Sequence, residues 1–280
     1  MRYANFLKNG KAHLAASAGD GWVDLGATDL TSLIRSGADL SAAPKGEAMS
    51  LDMAALLPVI QRPPKIFCIG LNYLDHAAES PYKERPTYPA VFPRYATSLV
   101  AHGQPIIRPT ISRELDFEGE LVAIIGKGGR HIRREDALSH VAGYSIFNEG
   151  SIRDYQFKSP QWTVGKNFDN TGAFGPWMIT ADELPPGAAG LSIQTRLNGE
   201  VVQQGNTSDL IFPVDVLIST ISEAITFEPG DIIVTGTPAG IGWARKPPLF
   251  MKDGDRCEVE IERIGILSNP VQDEVRTAAA

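Results

Sequence analysis

Three carboxylates recur at every second residue in Asp116-Phe117-Glu118-Gly119-Glu120-Leu121-Val122-Ala123-Ile124-Ile125-Gly126. On an extended strand alternate side chains share a face, so Asp116, Glu118 and Glu120 form one acidic row leading into an apolar strand. Like charges this close raise one another's pKa unless a cation neutralises them. The row serves either as a solvated strand face or as a set of oxygen ligands, and carboxylates gathered at one spot suit a hard ion such as Mg²⁺. Zinc is not indicated, because no His or Cys pair has ligand spacing.

Two further segments carry chemistry. In Gly143-Tyr144-Ser145-Ile146-Phe147-Asn148-Glu149-Gly150-Ser151 an apolar strand ends in an acid, and Ser151 reads as the N-cap of a following helix. A strand end can present a carboxylate into a cleft, although Glu149 taken alone reads as a surface acid. His76 and Glu79 lie three apart and meet on a helical turn, either as an exposed pair or as a carboxylate orienting a general base. No Gly-x-Ser-x-Gly elbow is present. Gly236-Thr237-Pro238-Ala239-Gly240-Ile241-Gly242 follows a strand but lacks the lysine of a phosphate loop, so it reads as a tight turn bringing backbone near a ligand.

These residues need a scaffold of strands. Short β-branched runs with glycine turns recur at Leu121 to Ile125, Leu191 to Leu197, Asp231 to Thr235 and Arg256 to Glu262. Helical periodicity is strong in Pro213 to Ile225, where Val216, Leu217, Thr220, Ile221 and Ala224 share a face. The balance predicts an α+β, β-dominated fold, a roll or sandwich rather than a doubly wound sheet. Residues 1–60 read as a small N-terminal β-rich domain. Its strands run over Arg2 to Phe6, Ala12 to Ala16 and Gly21 to Leu25, with hairpin signals at Asn9-Gly10 and Gly19-Asp20-Gly21. A helix over Asp29 to Ser36 and a connection over Ser36 to Ser50 follow. Gln61-Arg62-Pro63-Pro64 marks the boundary of a larger domain, residues 61–275, with a frayed tail at 276–280.

The 280-residue chain is 43% hydrophobic and 21% charged, as globular proteins are, and its net charge of −7 argues against nucleic acid as a partner. Its two cysteines do not make a disulfide scaffold, and Cys68 reads as a buried inert thiol. No membrane span or signal-peptide stretch is visible, and a cytoplasmic location is expected.

In this order the segments resemble the fumarylacetoacetate hydrolase family, over about Pro64 to Glu262. The matching stretches are Ile69-Gly70-Leu71-Asn72-Tyr73 with His76 and Glu79, Asp116 to Gly126, and Gly143 to Gln156. They continue with Gly165 to Asp169, Leu197 to Glu200 with Thr207-Ser208, and Pro229 to Asp231 with Thr235 to Gly242. The resemblance implies a mixed β-sandwich roll, a homodimer, and Mg²⁺ (with Mn²⁺ or Ca²⁺ as substitutes) held by Glu118, Glu120 and Glu149. It also implies that Arg153, Gln156 and Thr237 bind a small-molecule substrate and that His76, Glu79 and Lys166 are catalytic. Two positions depart from the family pattern: Glu149 stands where Asp is usual, and Arg94 stands near a usual Lys.

The activity so implied is hydrolysis of a C–C bond in a 1,3-diketo or 2-oxo acid, in the catabolism of aromatic or related compounds. The ion polarises the keto acid, His76 with Glu79 activates water, and Lys166 supplies positive charge to the departing carbanion. Decarboxylation, isomerisation or dehydration of a 2-oxo acid is the alternative, and an inactive metal-binding relative is the second. Phe157, Trp162 and Trp243 read either as core or as the lining of an apolar pocket for an acyl tail.

Overall fold

Short strands joined by an Asn-Gly turn and a Gly-Asp-Gly turn fold the start of the chain into a meander of β1 (Arg2–Lys8), β2 (Lys11–Ala18) and β3 (Gly21–Asp24). Asn9 and Gly10 both take positive φ, 51° and 73°, as a two-residue hairpin turn requires. Asp29 caps α1 (Leu30–Arg35) by accepting from the Ser32 N–H, and Leu30 and Ile34 are buried. The expected connection over Ser36 to Ser50 contains a strand, β4 (Glu47–Met49), hydrogen-bonded to β3. Its mostly exposed side chains gave no alternation by which to read it. The computed structural model describes residues 1–79 and 85–275, so the tail expected at 276–280 lies outside the described residues.

Next come β5 (Ile66–Gly70), α2 (Leu74–Glu79), β6 (Ala90–Arg94), β7 (Leu99–Ala101) and β8 (Ile106–Arg108). The central acidic segments form β9 (Leu115–Asp116), β10 (Gly119–Ile125), α3 (Arg134–Ala137), β11 (Val141–Glu149), β12 (Ser151–Ile152) and α4 (Arg153–Gln156). The remainder is β13 (Gly172–Thr180), β14 (Ser192–Leu197), β15 (Glu200–Asn206), α5 (Val214–Ala224), β16 (Ile232–Val234), β17 (Arg256–Ile261) and β18 (Gly265–Asp273).

An 11-stranded mixed sheet runs β4-β3-β2-β1-β13-β11-β10-β16-β5-β6, with β7 also paired to β13. A five-stranded sheet runs β15-β14-β17-β18-β8, and β9 pairs with β12. This is the β-dominated sandwich roll that the strand pattern predicts. Strand β10 is buried on both faces: Leu121, Ala123 and Ile125 share a core with Ile193, Val259 and Leu267 of the smaller sheet. Val122 and Ile124 pack in a second core with Leu14, Leu30 and Ile60. Covering both faces keeps water from the strand that carries Glu120.

Two local expectations need correction. Helix α5 buries Val214, Leu217, Ile218, Ile221 and Ser222, so the packed face is turned from the one predicted, and Ala224 is exposed. Ser151 is no helix cap. It lies in β12, and its hydroxyl donates to the Glu149 carbonyl (2.8 Å) and the Glu118 carboxylate (3.3 Å). Both cysteines are buried and unpaired, and burial pushes both thiols up.

Candidate active site and metal cage

Strand register brings the acids together. In the β10–β11 ladder Gly119 faces Asn148, and the Glu149 N–H donates to the Glu118 carbonyl at 2.8 Å. Glu118 and Glu120 share a side by strand alternation, and one carboxylate oxygen from each of Glu118, Glu120 and Glu149 lies within 4.8 Å of the others. All three are buried, at 3%, 2% and 1% exposure, which rules out a solvated strand face and a surface role for Glu149.

Asp116 belongs to the row in sequence but not to this cage. It accepts from the Gly242 and Trp243 N–H groups (2.7 and 2.9 Å) and from Arg153 Nε (2.8 Å), and so ties the glycine turn to the acidic strand.

Two buried cations meet the cage. Lys166 Nζ donates to Glu118 (2.5 Å) and Glu149 (2.9 Å). Arg153 donates to Glu118 (2.6 Å) and to Gln156 Oε1 (2.8 Å). Burial opposes charge on Glu118, but Arg153 and Lys166 outweigh it and hold its carboxyl well below the usual range. Glu120 has the opposite surroundings: burial, then Glu149 and Glu118, push its carboxyl well above that range. Arg94 stands behind Glu149, its Nη1 3.8 Å from Oε1. It donates to Thr171 Oγ1 (2.8 Å), Gly150 O and Ser98 Oγ, so the guanidinium is anchored there by three other acceptors.

The residues fit a hard divalent ion. Glu149 Oε1 is buried without a hydrogen-bond donor among the described residues, and buried carboxylate oxygens rarely stay unsatisfied. The donor set is all oxygen, as Mg²⁺ and its hard relatives require.

His76 sits in α2, 7% exposed, with Nδ1 3.8 Å from Glu79 Oε2, an ion-pair distance rather than a hydrogen bond. Glu79 is held from behind, both oxygens accepting from the Gly240 N–H at 2.9 and 3.0 Å. Burial opposes its charge, yet His76 and that N–H hold its carboxyl below the usual range. The Gly236–Gly242 turn brings backbone to bear on the acids of the site, with Gly236 N–H also donating to Glu120. Gly236 and Gly240 have φ of +102° and +103°, which a side chain would disfavour.

His76, Glu118, Glu120, Glu149, Arg153, Gln156, Lys166 and Thr237 line one cleft, and Glu79 stands behind His76. Thr237 is engaged: its hydroxyl donates to Gly119 O (2.9 Å) and accepts from Gln203 (2.8 Å). Phe157, Trp162 and Trp243 line the same cleft, and Trp162 also packs against the second core.

Sequence reasoning gave no role to Leu71 or Asn72. Leu71 lines the cleft with φ +56°, a left-handed conformation that costs a leucine about 1–2 kcal/mol. Asn72 holds the bend through bonds to Thr235 O (2.7 Å) and to both polar groups of Phe212. Only the Asn beside an apolar strand end hinted at it.

A family profile described as Fumarylacetoacetate (FAA) hydrolase C-terminal matches residues 65–272. Over 275 residues the chain is 39% identical to a mitochondrial oxaloacetate tautomerase of Homo sapiens, covering 92% of this chain and 87% of the relative. Among solved structures, a fumarylacetoacetate hydrolase from psychrophilic Exiguobacterium antarcticum superposes with a TM-score of 0.85 at 34% identity, covering 98% of this chain and 100% of that one. A 5-carboxymethyl-2-hydroxymuconate delta-isomerase from Mycobacterium smegmatis superposes with a TM-score of 0.79 at 29% identity, covering 99% and 100%.

Proposed function

Since the chain belongs to the fumarylacetoacetate hydrolase family and is an enzyme of that family, we propose that it moves a proton at the carbon beside the keto group of a 2-oxo acid, interconverting enol and keto forms. The observation that carries this reading is His76. It is a buried imidazole in a carboxylate-floored cleft, with Nδ1 turned toward an anchored Glu79 and no hydrogen bond to it among the described residues. With Nδ1–H directed at Glu79, Nε2 is the nitrogen left to take the proton from carbon and return it.

A divalent ion held by Glu118, Glu120 and Glu149, Mg²⁺ first and Mn²⁺ or Ca²⁺ next, supplies Lewis acidity to the keto acid when bound. Lys166 provides fixed positive charge for the enolate oxygen, in a site dry enough for that charge to count. Arg153 and Gln156 orient the substrate head, and Thr237, its hydroxyl held by Gly119 O and Gln203, lines the cleft beside them. The named activities of the human relative and of the Mycobacterium smegmatis neighbour are a tautomerisation and an isomerisation, and both are proton transfers of this kind.

Hydrolysis of a C–C bond is the second reading, favoured by the name of the Exiguobacterium antarcticum neighbour and open to the same imidazole acting on water. Solvent isotopes separate the two. Tautomerisation in heavy water places deuterium on carbon 3 of recovered 2-oxo acid, whereas hydrolysis in ¹⁸O-water labels a released carboxylate. With Mg²⁺ present, His76→Ala should slow enol decay about 100-fold or more while far-UV circular dichroism is unchanged. An unchanged rate removes the imidazole from the reaction. The active species is proposed to be a homodimer, which light scattering of the purified protein tests.

A further inference from the structure

The cleft has two chemically different halves. Its floor holds the three glutamates and both lining cations, Arg153 and Lys166. Those cations are fixed at the floor: Arg153 donates from Nε, Nη1 and Nη2 to Asp116, Gln156 and Glu118, and Lys166 donates to Glu118 and Glu149. The wall, made by Leu71, Phe157, Trp162, Ile241 and Trp243, carries no ionisable group.

That wall is built rather than incidental. Phe157 is 44% exposed, so its ring has surface open to a ligand. It packs on Trp243 with ring centroids 4.9 Å apart and planes 44° apart. Trp162 is pinned edge-on to Phe92, with centroids at 5.5 Å and planes at 74°. Its ring also lies against Gly70, where any β-carbon would collide with it. The aromatic surfaces are therefore held in place before a ligand arrives, which lowers the ordering cost of binding.

We infer that the substrate carries an uncharged apolar or aryl substituent beyond its 2-oxo acid, and that Phe157, Trp162 and Trp243 select it. This rests on the 2-oxo-acid reading above and adds the class of substituent. With the 2-oxo acid head at the floor, the rest of the molecule lies along the wall. A second carboxylate lying along these five side chains sheds water with no cation among them to receive it. A ring or branched chain instead gains close packing against oriented aromatic faces.

The test uses two stable ligands that share a head and differ at the tail, 2-oxo-4-phenylbutanoate and 2-oxoglutarate. Each is titrated calorimetrically into Mn²⁺-loaded protein, for wild type, Trp243→Ala and Phe157→Ala. Wild type should bind the phenyl ligand at least about tenfold more tightly, a ratio typical of apolar pocket discrimination. Each variant should shrink that ratio to within about threefold. Equal or tighter binding of 2-oxoglutarate by wild type overturns the inference, as does a ratio untouched in both variants. Phe157→Ala, at a half-exposed position, keeps the test open where Trp243→Ala does not fold. The same wild-type sample is assayed for acceleration of phenylpyruvate enol–keto exchange. Selective binding without acceleration refutes the tautomerase reading alone, and acceleration without selectivity refutes the substituent class alone.

Discussion

Glu118→Gln and Glu120→Gln should both abolish tight Mn²⁺ binding, yet only Glu118→Gln should destabilise the protein when EDTA removes metal. Glu118 accepts from Arg153 (2.6 Å) and Lys166 (2.5 Å), both buried. Its amide isostere keeps one acceptor oxygen and turns an NH₂ group toward a cation. Breaking a buried pair from one side costs about 3–5 kcal/mol, because the remaining charge is left uncompensated. At about 2 °C per kcal/mol for a chain of this size, the melting temperature falls by about 6–10 °C. Glu120 accepts one N–H, from Gly236, and burial, Glu149 and Glu118 all resist its charge. The amide in Glu120→Gln keeps that acceptor and removes the repulsion, so the variant's stability should equal wild type or exceed it by up to about 2 kcal/mol. Thermal and urea unfolding in EDTA give the stabilities, and electron paramagnetic resonance of free Mn²⁺ gives binding. A Glu118→Gln protein as stable as wild type refutes the charge reasoning, as does a Glu120→Gln protein that is the weaker of the two. Undiminished Mn²⁺ binding in both variants refutes the cage.

Two predictions concern the N-terminal sixty residues. Asp24 is buried beside Lys8 (2.7 Å) and His13 (3.0 Å); burial opposes its charge, but those partners and the Gly26 N–H lower its carboxyl from 3.8 to about 2. A depressed folded-state value contributes stability above pH 3.8 that is lost as pH falls through 2, so Asp24→Asn should cost about 1 kcal/mol at pH 6, after screening by water around Lys8, and progressively less below pH 4 in urea titrations. A cost independent of pH refutes this. We also propose residues 1–60 as a cap that the larger unit needs: without them, Val122, Ile124, Phe147, Phe174 and Met178 lose the cover of Leu14, Leu30 and Ile60. That exposure is worth about 7–15 kcal/mol, comparable to the whole stability of a domain, so the chain from residue 61 should show no cooperative melt. A sharp calorimetric transition in that fragment would overturn the proposal.

What the sequence made legible was local. The acidic row and the His76–Glu79 pair are periodic over three to five residues, and backbone geometry alone places them on one face. Asn9-Gly10 carried its turn for the same reason. The convergence of Glu149 on that row depends on a register between β10 and β11 that no local pattern encodes, so only the family resemblance supplied it. Asp116 shows the converse: its spacing puts it in the row, but its bonds run to residues 242 and 243, far along the chain. Ser151 imitates a helix cap, but it pairs with Asp116 in the β12–β9 ladder and its hydroxyl donates back to Glu149 O and across to Glu118. The face of α5 was misjudged because Val216 and Thr220 fit one apolar stripe as well as Val214 and Ile218 fit the next, and only the packed neighbours choose.

The same distinction between near and far contacts explains how each acid of the site is held. Arg153 and Lys166 both rest on Glu118, so the cationic side of the cleft is built around one carboxylate. Glu120, Glu79 and Asp116 are each held by N–H groups of the turn from Gly236 to Trp243. A peptide N–H fixes an oxygen with a partial charge, whereas an ammonium or guanidinium brings a full one. Anchoring by backbone therefore orients Glu120 without a directly bonded cation, while burial, Glu149 and Glu118 hold its carboxyl above the usual range. A turn of glycines suits this because its amides must approach carboxylates closely, and two of those that do belong to glycines at φ near +100°. The turn thus links the cage, the partner of His76 and the anchor of Arg153, and a shift in its backbone would move all three at once.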